Sequence, residues 1–184
     1  MSISSDKVNC SSALVKGCPR TRELGSRRWS NQIQLSQAVA DWLGNLAPWT
    51  FAVTFTIKRH DEHGNKATQC VIVSAGRHFL ALLDVACFGA SKARRSHSVG
   101  SAVSIGWGSY GDHPHLHLSL AAPAGMHAEK FMEIIEKAAL RTYWIHRQQD
   151  IQPYRNKGWM YYMVAHGTDN VLLSLVRLLI HHPN

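Results

Sequence analysis

The run Gly111-Asp112-His113-Pro114-His115-Leu116-His117-Leu118-Ser119-Leu120 holds the residue types and spacing best suited to chemistry. In a strand, alternate side chains share a face. His115, His117 and Ser119 therefore point one way, and Leu116, Leu118 and Leu120 the other. The leucines suit a core beneath helices, which leaves two imidazoles side by side on the opposite, accessible face. Neutral imidazoles placed like this can offer two nitrogens to one divalent cation. The chain has twelve histidines, so a bare His-x-His triplet is expected about once by chance. A solvated His-rich hairpin or core-capping histidines are the ordinary alternatives. The alternation with leucine, entered through Pro114, is what favours a metal site.

Other side chains have chemical reach and an ordinary role beside it. Asp84 and Asp112 are candidate oxygen ligands, although aspartate more often serves turns and caps. Lys92, Arg94 and Arg95 form a basic loop that can grip phosphates or remain a solvated charge run. Trp107 and Trp159 can stack on unpaired bases or pack in a core.

The elements that must position these groups can be read along the chain. Residues 1 to 29 lack a sustained apolar period and carry Lys7, Lys16, Arg20, Arg22, Arg27 and Arg28. They read as a flexible basic arm, with one domain over 30 to 184. Ser30 or Asn31 can cap a helix with Leu35, Val39, Trp42, Leu43 and Leu46 on one stripe, stopped by Pro48. Trp49 to Ile57 reads as a strand, with Phe51, Val53, Phe55 and Ile57 on one face. Gln69 to Ser74 is a short strand or the lead-in to a helix. Gly76 to Phe88 is helical in spacing and ends at Gly89. Ala102 to Trp107 and His115 to Ala121 form a hairpin around Gly108, Gly111 and Pro114. A helix from His127 to Tyr143, a strand within Ile145 to Tyr154, and helices at Lys157 to Ala165 and Asn170 to His181 complete the reading. Strands and helices mix without strict βαβ alternation, which predicts an α+β fold with helices packed on one antiparallel sheet.

Several of these pieces, in this order, resemble the replication-initiator branch of the HUH endonucleases. They are Arg77 to Gly89 with its Phe-Gly ending, the basic loop, Val103-Ser-Ile-Gly106, His115-Leu-His117-Leu118 with Pro123, and Gly158-Trp-Met-Tyr-Tyr-Met-Val164. The similarity runs from about Thr50 to Gly167. It implies a central antiparallel sheet of four to five strands carrying Mn²⁺ or Mg²⁺ on His115 and His117. It also implies a helix that presents a nucleophilic tyrosine across from the metal. By its spacing from Trp159 that tyrosine is Tyr162, with Tyr161 the adjacent competitor. The implied reaction joins the tyrosine to the 5′-phosphate of single-stranded DNA and frees a 3′-hydroxyl, as in rolling-circle replication or strand transfer. The chain departs from the pattern in two places. The usual acidic ligand on the preceding strand is matched by Trp107, so His113 or Asp112 is the candidate third donor. The usual lysine three residues after the tyrosine is matched by Ala165, followed by His166.

Bulk properties set the frame. Twenty Lys and Arg against twelve Asp and Glu give a net charge of +8 over 184 residues, with 45% hydrophobic residues. That balance provides a core and favours a polyanionic partner. Four cysteines without a Cys-x-x-Cys spacing argue against a disulfide framework or zinc knuckle. With no apolar run at the start of the sequence, a cytoplasmic location is expected. Val171 to Ile180, broken by Ser174 and Arg177, is too short to span a bilayer, so no membrane association is expected. No helicase segment is recognised, so unwinding is left to a separate host helicase. A catalytically degenerate DNA-binding regulator or adaptor, and a His-rich metal-binding protein, are the competing functions.

Overall fold

The computed structural model describes residues 22–95, 97–108, 113–165 and 167–178, with side chains described from residue 31 onward. In chain order the elements are α1 (Arg22–Asn45), β1 (Phe51–Ile57), α2 (Gln69–Phe88), α3 (Ala90–Arg94), β2 (Gly100–Trp107), β3 (Pro114–Ala121), α4 (Ala128–Leu140), β4 (Ile145–Pro153) and α5 (Gly158–Val164). The four strands form one sheet in the order β2-β3-β1-β4, every neighbouring pair antiparallel. From β1 to β4 the connectivity is β-α-β-β-α-β (α3 apart), the split β-α-β arrangement. The expected α+β class with helices on an antiparallel sheet is what the chain adopts.

Alternation divides the sheet into two differently used faces. On one face Phe51, Val53, Phe55 and Ile57 of β1 join Val103 and Ile105 of β2 and Leu116, Leu118 and Leu120 of β3 in the main core. The helices α2, through Ile72, Phe79, Leu80 and Leu83, and α4, through Phe131, Ile135 and Ala139, close it. Each leucine or phenylalanine removed from water there contributes roughly 1.5–3 kcal/mol. Thr68 caps α2, its Oγ1 accepting from the Val71 N–H at 3.4 Å. Gly89 ends it at a φ of 79°, a conformation that disfavours a side chain. By length and composition α2 is apolar enough to cross a membrane; here its buried face belongs to the core.

The opposite face carries a second, smaller core. Ala102 of β2 and Ala121 of β3 meet Ala40 and Leu43 of α1, and Met160, Met163 and Val164 of α5. The Trp49 indole anchors the turn after α1 by donating to the Leu43 carbonyl at 2.9 Å. Small residues set the approach: a Cβ on Gly44 would lie 3.2 Å from Cγ of Lys157.

Three local expectations are corrected. The first helix begins at Arg22, so residues 22 to 29 of the expected basic arm are helical. Arginine, glutamate and leucine there are good helix formers; residues 1–21 lie outside the described residues. Its packed side is Ala40 and Leu43, while Leu35 and Trp42 of the expected stripe are exposed. Third, Asn170 to His181 is not a helix over its described part. Two short 3₁₀ turns, Thr168–Asn170 and Leu173–Leu175, alternate with extended residues lying along β2. Leu172 N–H donates to the Val103 carbonyl at 2.8 Å, and Ser101 and Arg177 exchange bonds of 2.9 and 2.7 Å. The outer edge of β2 has unpaired backbone groups, and satisfying them outweighs the helical spacing of the apolar residues.

Candidate active site

The two histidines of β3 share a sheet face, with ring centroids 6.1 Å apart. Strand register fixes their neighbours. His117 lies between Ser104 of β2 and Thr54 of β1, and Thr54 lies opposite Asp150 of β4. One row, Ser104–His117–Thr54–Asp150, thus crosses the whole sheet. His115 lies between Gly106 and Thr56. The face is less accessible than the alternation alone implies, because α1 and α5 cover part of it and leave His117 only 4% exposed.

Local contacts orient the rings. Thr54 Oγ1 and His117 Nδ1 share a hydrogen bond of 3.1 Å. On the other side a Cβ added to Gly106 would stand 2.5 Å from His117 Nε2, so the absent side chain is what makes room for that edge of the ring. His115 Nδ1 is buried without a hydrogen-bond partner. Burial, helped by nearby His113, holds the His115 imidazole below its usual range. That favours the neutral form in which an imidazole binds metal. The orphaned buried nitrogen of His115 fits a donor to a cation shared with His117, whose ring edge fills the room that Gly106 leaves. No group of three His, Cys, Asp or Glu converges among the described residues.

Helix α5 sends the two tyrosines in different directions. Met160, Met163 and Val164 form its buried side, and Ser119 Oγ reaches the Met160 and Met163 sulfurs at 3.6 and 3.5 Å. That seating turns Trp159 and Tyr162, one helical turn apart, toward the histidines. The Tyr162 and His117 rings meet edge-on at 5.0 Å, and Trp159 stacks on Tyr162 at 5.4 Å. Trp159 also meets His117 at 5.8 Å. Tyr161 leaves the helix in another direction, where its hydroxyl donates to Asp41 Oδ1 at 3.1 Å. That bond raises the Tyr161 phenol above its usual range.

Tyr162 is 48% exposed and lines an open groove of about 630 Å³. Thr54, Asp150, Gln152, Arg155 and Trp159 share the wall. The Gln152 amide donates to Asp150 Oδ1 at 2.9 Å. The groove therefore offers a phenol, a carboxylate, a guanidinium and an indole beside the histidine pair.

The remaining candidates lie outside the lining of this groove. His113 is exposed and set against the Arg59 guanidinium, whose Nε donates to its Nδ1 at 3.2 Å. Lys92 and Arg94 sit on α3, with Arg95 just after it and folded back onto Ser91 at 2.7 Å. That segment precedes the Gly100 end of β2, whereas His115 pairs with Gly106 near the far end. Trp107 packs on the main core, on the face away from the histidines. Asp84 is no oxygen ligand here: it accepts from the Val99 N–H at 2.8 Å and pairs with Arg177 at 2.5 Å. Asp112 and His166 lie outside the described residues.

Sequence reasoning missed Thr54, Gly106, Asp150 and Arg155. The alternation of Phe51 to Ile57 already turned Thr54 and Thr56 away from the phenylalanines. Their registration against histidine depends on long-range pairing that no local pattern encodes.

No family model, curated protein or solved structure matches this chain.

Proposed function

We propose that this chain nicks and rejoins single-stranded DNA in a metal-dependent reaction with Tyr162 as nucleophile. The observation that supports it is the seating of the exposed Tyr162 phenol directly against His117, on a face shared with His115. The Tyr162 oxygen attacks phosphorus, the bond from phosphorus to the 3′-oxygen breaks, and a 5′-phosphotyrosine forms. The phenol gives up its proton, and the departing 3′-oxygen takes one to become a hydroxyl. Because the phosphodiester energy is kept in the phosphotyrosine, the same steps reversed rejoin a strand. His115 and His117 would hold Mn²⁺ or Mg²⁺, which when bound supplies positive charge to the scissile phosphate. Arg155 contributes a fixed cation in the groove, and Trp159 offers a face on which an unpaired base stacks.

A second reading is a DNA-binding regulator or adaptor that has lost turnover. Gly106 opposite His115, and Ala165 where the resembled pattern has a lysine, favour it. Incubation with Mn²⁺ and a library of single-stranded oligonucleotides separates the two. Nicking yields protein-linked DNA on a denaturing gel, and released strands that a polymerase can extend from their 3′-ends. Salt-sensitive binding with neither product supports the adaptor.

A further inference from the structure

A second cavity, about 870 Å³, opens where the segment after β1 meets the junction of α4 and β4. Lys58, Arg141 and Arg147 put three fixed positive charges on its wall, His146 adds an imidazole, and no aspartate or glutamate lines it. Among the described residues no carboxylate pairs with Lys58, Arg141 or Arg147. Glu62, close by in sequence, turns its carboxylate to His63 at 3.7 Å, while its N–H donates to the Tyr143 hydroxyl at 3.2 Å. The Lys58 ammonium rests over the Tyr143 ring, 4.1 Å from its centre. Like charges held around one concavity without counter-charge raise the free energy of the empty site and lower that of an anion entering it.

Place identifies the anion. Thr56 pairs with His115, and Lys58 follows two residues later, about 7 Å further along the chain. Strand β1, which lends Thr54 to the groove, thus runs on past His115 to bring Lys58 into the wall of this cavity. The cavity is also far larger than one phosphate needs. We infer that this basic cavity binds the phosphodiester backbone of single-stranded DNA where the strand continues beyond the groove. The inference rests on the strand-nicking reading of that groove. It moves the main phosphate grip from Lys92, Arg94 and Arg95 to Lys58, Arg141 and Arg147.

The test is the salt dependence of binding to a fluorescent single-stranded oligonucleotide, followed by anisotropy. Each phosphate neutralised on a single strand adds about 0.7 to the slope of log affinity against log salt. Replacing Lys58, Arg141 and Arg147 together by glutamine should make the slope shallower by about two, and Arg147→Gln alone by about 0.7. The same triple replacement at Lys92, Arg94 and Arg95 should leave it unchanged. An unaltered slope in the first triple variant, an equal loss in the second, or a change seen only with duplex probe overturns the assignment. The nicking reading fails separately. A wild type that shows the Lys58-dependent slope but never links DNA to Tyr162 keeps the cavity and removes the reaction. A wild type that nicks while the triple variant keeps its slope does the reverse.

Discussion

The Tyr162 ring stands edge-on to the His117 imidazole, centroids 5.0 Å apart and planes at 75°. One ring is 48% exposed and the other 4%. The contact spans two elements, β3 and α5, that are far apart in sequence. It exists because α5 is pinned through Met160 and Met163 to the face that carries His117. An exposed phenol lining the groove thus rests against a buried imidazole.

The adjacent tyrosines should separate cleanly under mutation. Tyr162→Phe removes the attacking oxygen while keeping the ring against His117 and Trp159, so nicking should fall by about 10³-fold or more. Tyr161→Phe loses only an exposed bond to Asp41, and its nicking rate should stay within about threefold of wild type. Initial rates on a single-stranded substrate check both.

Metal uptake should depend on residues that are not ligands. Gly106→Ala drives a methyl to 2.5 Å from His117 Nε2; displacing the ring should cost about 1–3 kcal/mol of stability. Thr54→Val keeps the shape but removes the partner of His117 Nδ1. Both should weaken Mn²⁺ binding by about 10–100-fold, as losses of orienting contacts do. Calorimetric titration with Mn²⁺ measures the weakened binding, and urea unfolding the lost stability.

The histidine face, its leucine back and the fold class were all legible in the sequence, because strand alternation is a local property. The covering of that face was not. Periodicity says which side of a helix is apolar, and it does not say which sheet face receives it. Of the expected stripe on α1, Val39, Leu43 and Leu46 do pack, with Ala40, whereas Leu35 and Trp42 are left exposed for that reason. Tyr161 and Tyr162 differ by one step around a helix; spacing from Trp159 favoured Tyr162, and the burial of Met160 and Met163 is what turns it toward His117. Asp150 is anonymous in Gln148-Gln149-Asp150 until the β1–β4 register sets it opposite Thr54. The tail after Gly167 has helical spacing but completes the edge of β2 instead.

That tail should matter for stability. Asp84 is nearly buried and joins α2, the start of β2 through Val99, and the tail through Arg177. Asp84→Ala strands a guanidinium and a buried N–H, and should destabilise the fold by about 2–3 kcal/mol. A lower urea midpoint with unchanged slope checks this; a change within error argues that the tail is dispensable.

The two described cysteines should react very differently. Burial, with Asp84 nearby, pushes the Cys87 thiol up to about 12. At about pH 8 almost none of it is thiolate, the form that reacts. Cys70 is exposed. Iodoacetamide should therefore label Cys70 and spare Cys87 until the pH is raised strongly or the protein unfolds. Peptide mapping reads the ratio directly.

The most direct test of the strand-nicking reading is to digest the protein after incubation with Mn²⁺ and a single-stranded oligonucleotide library, then locate nucleotide mass on its peptides. The account predicts a 5′-phosphate adduct on Tyr162, absent when Mn²⁺ is withheld. Nucleotide mass on Tyr161, on any other side chain, or on none at all contradicts it.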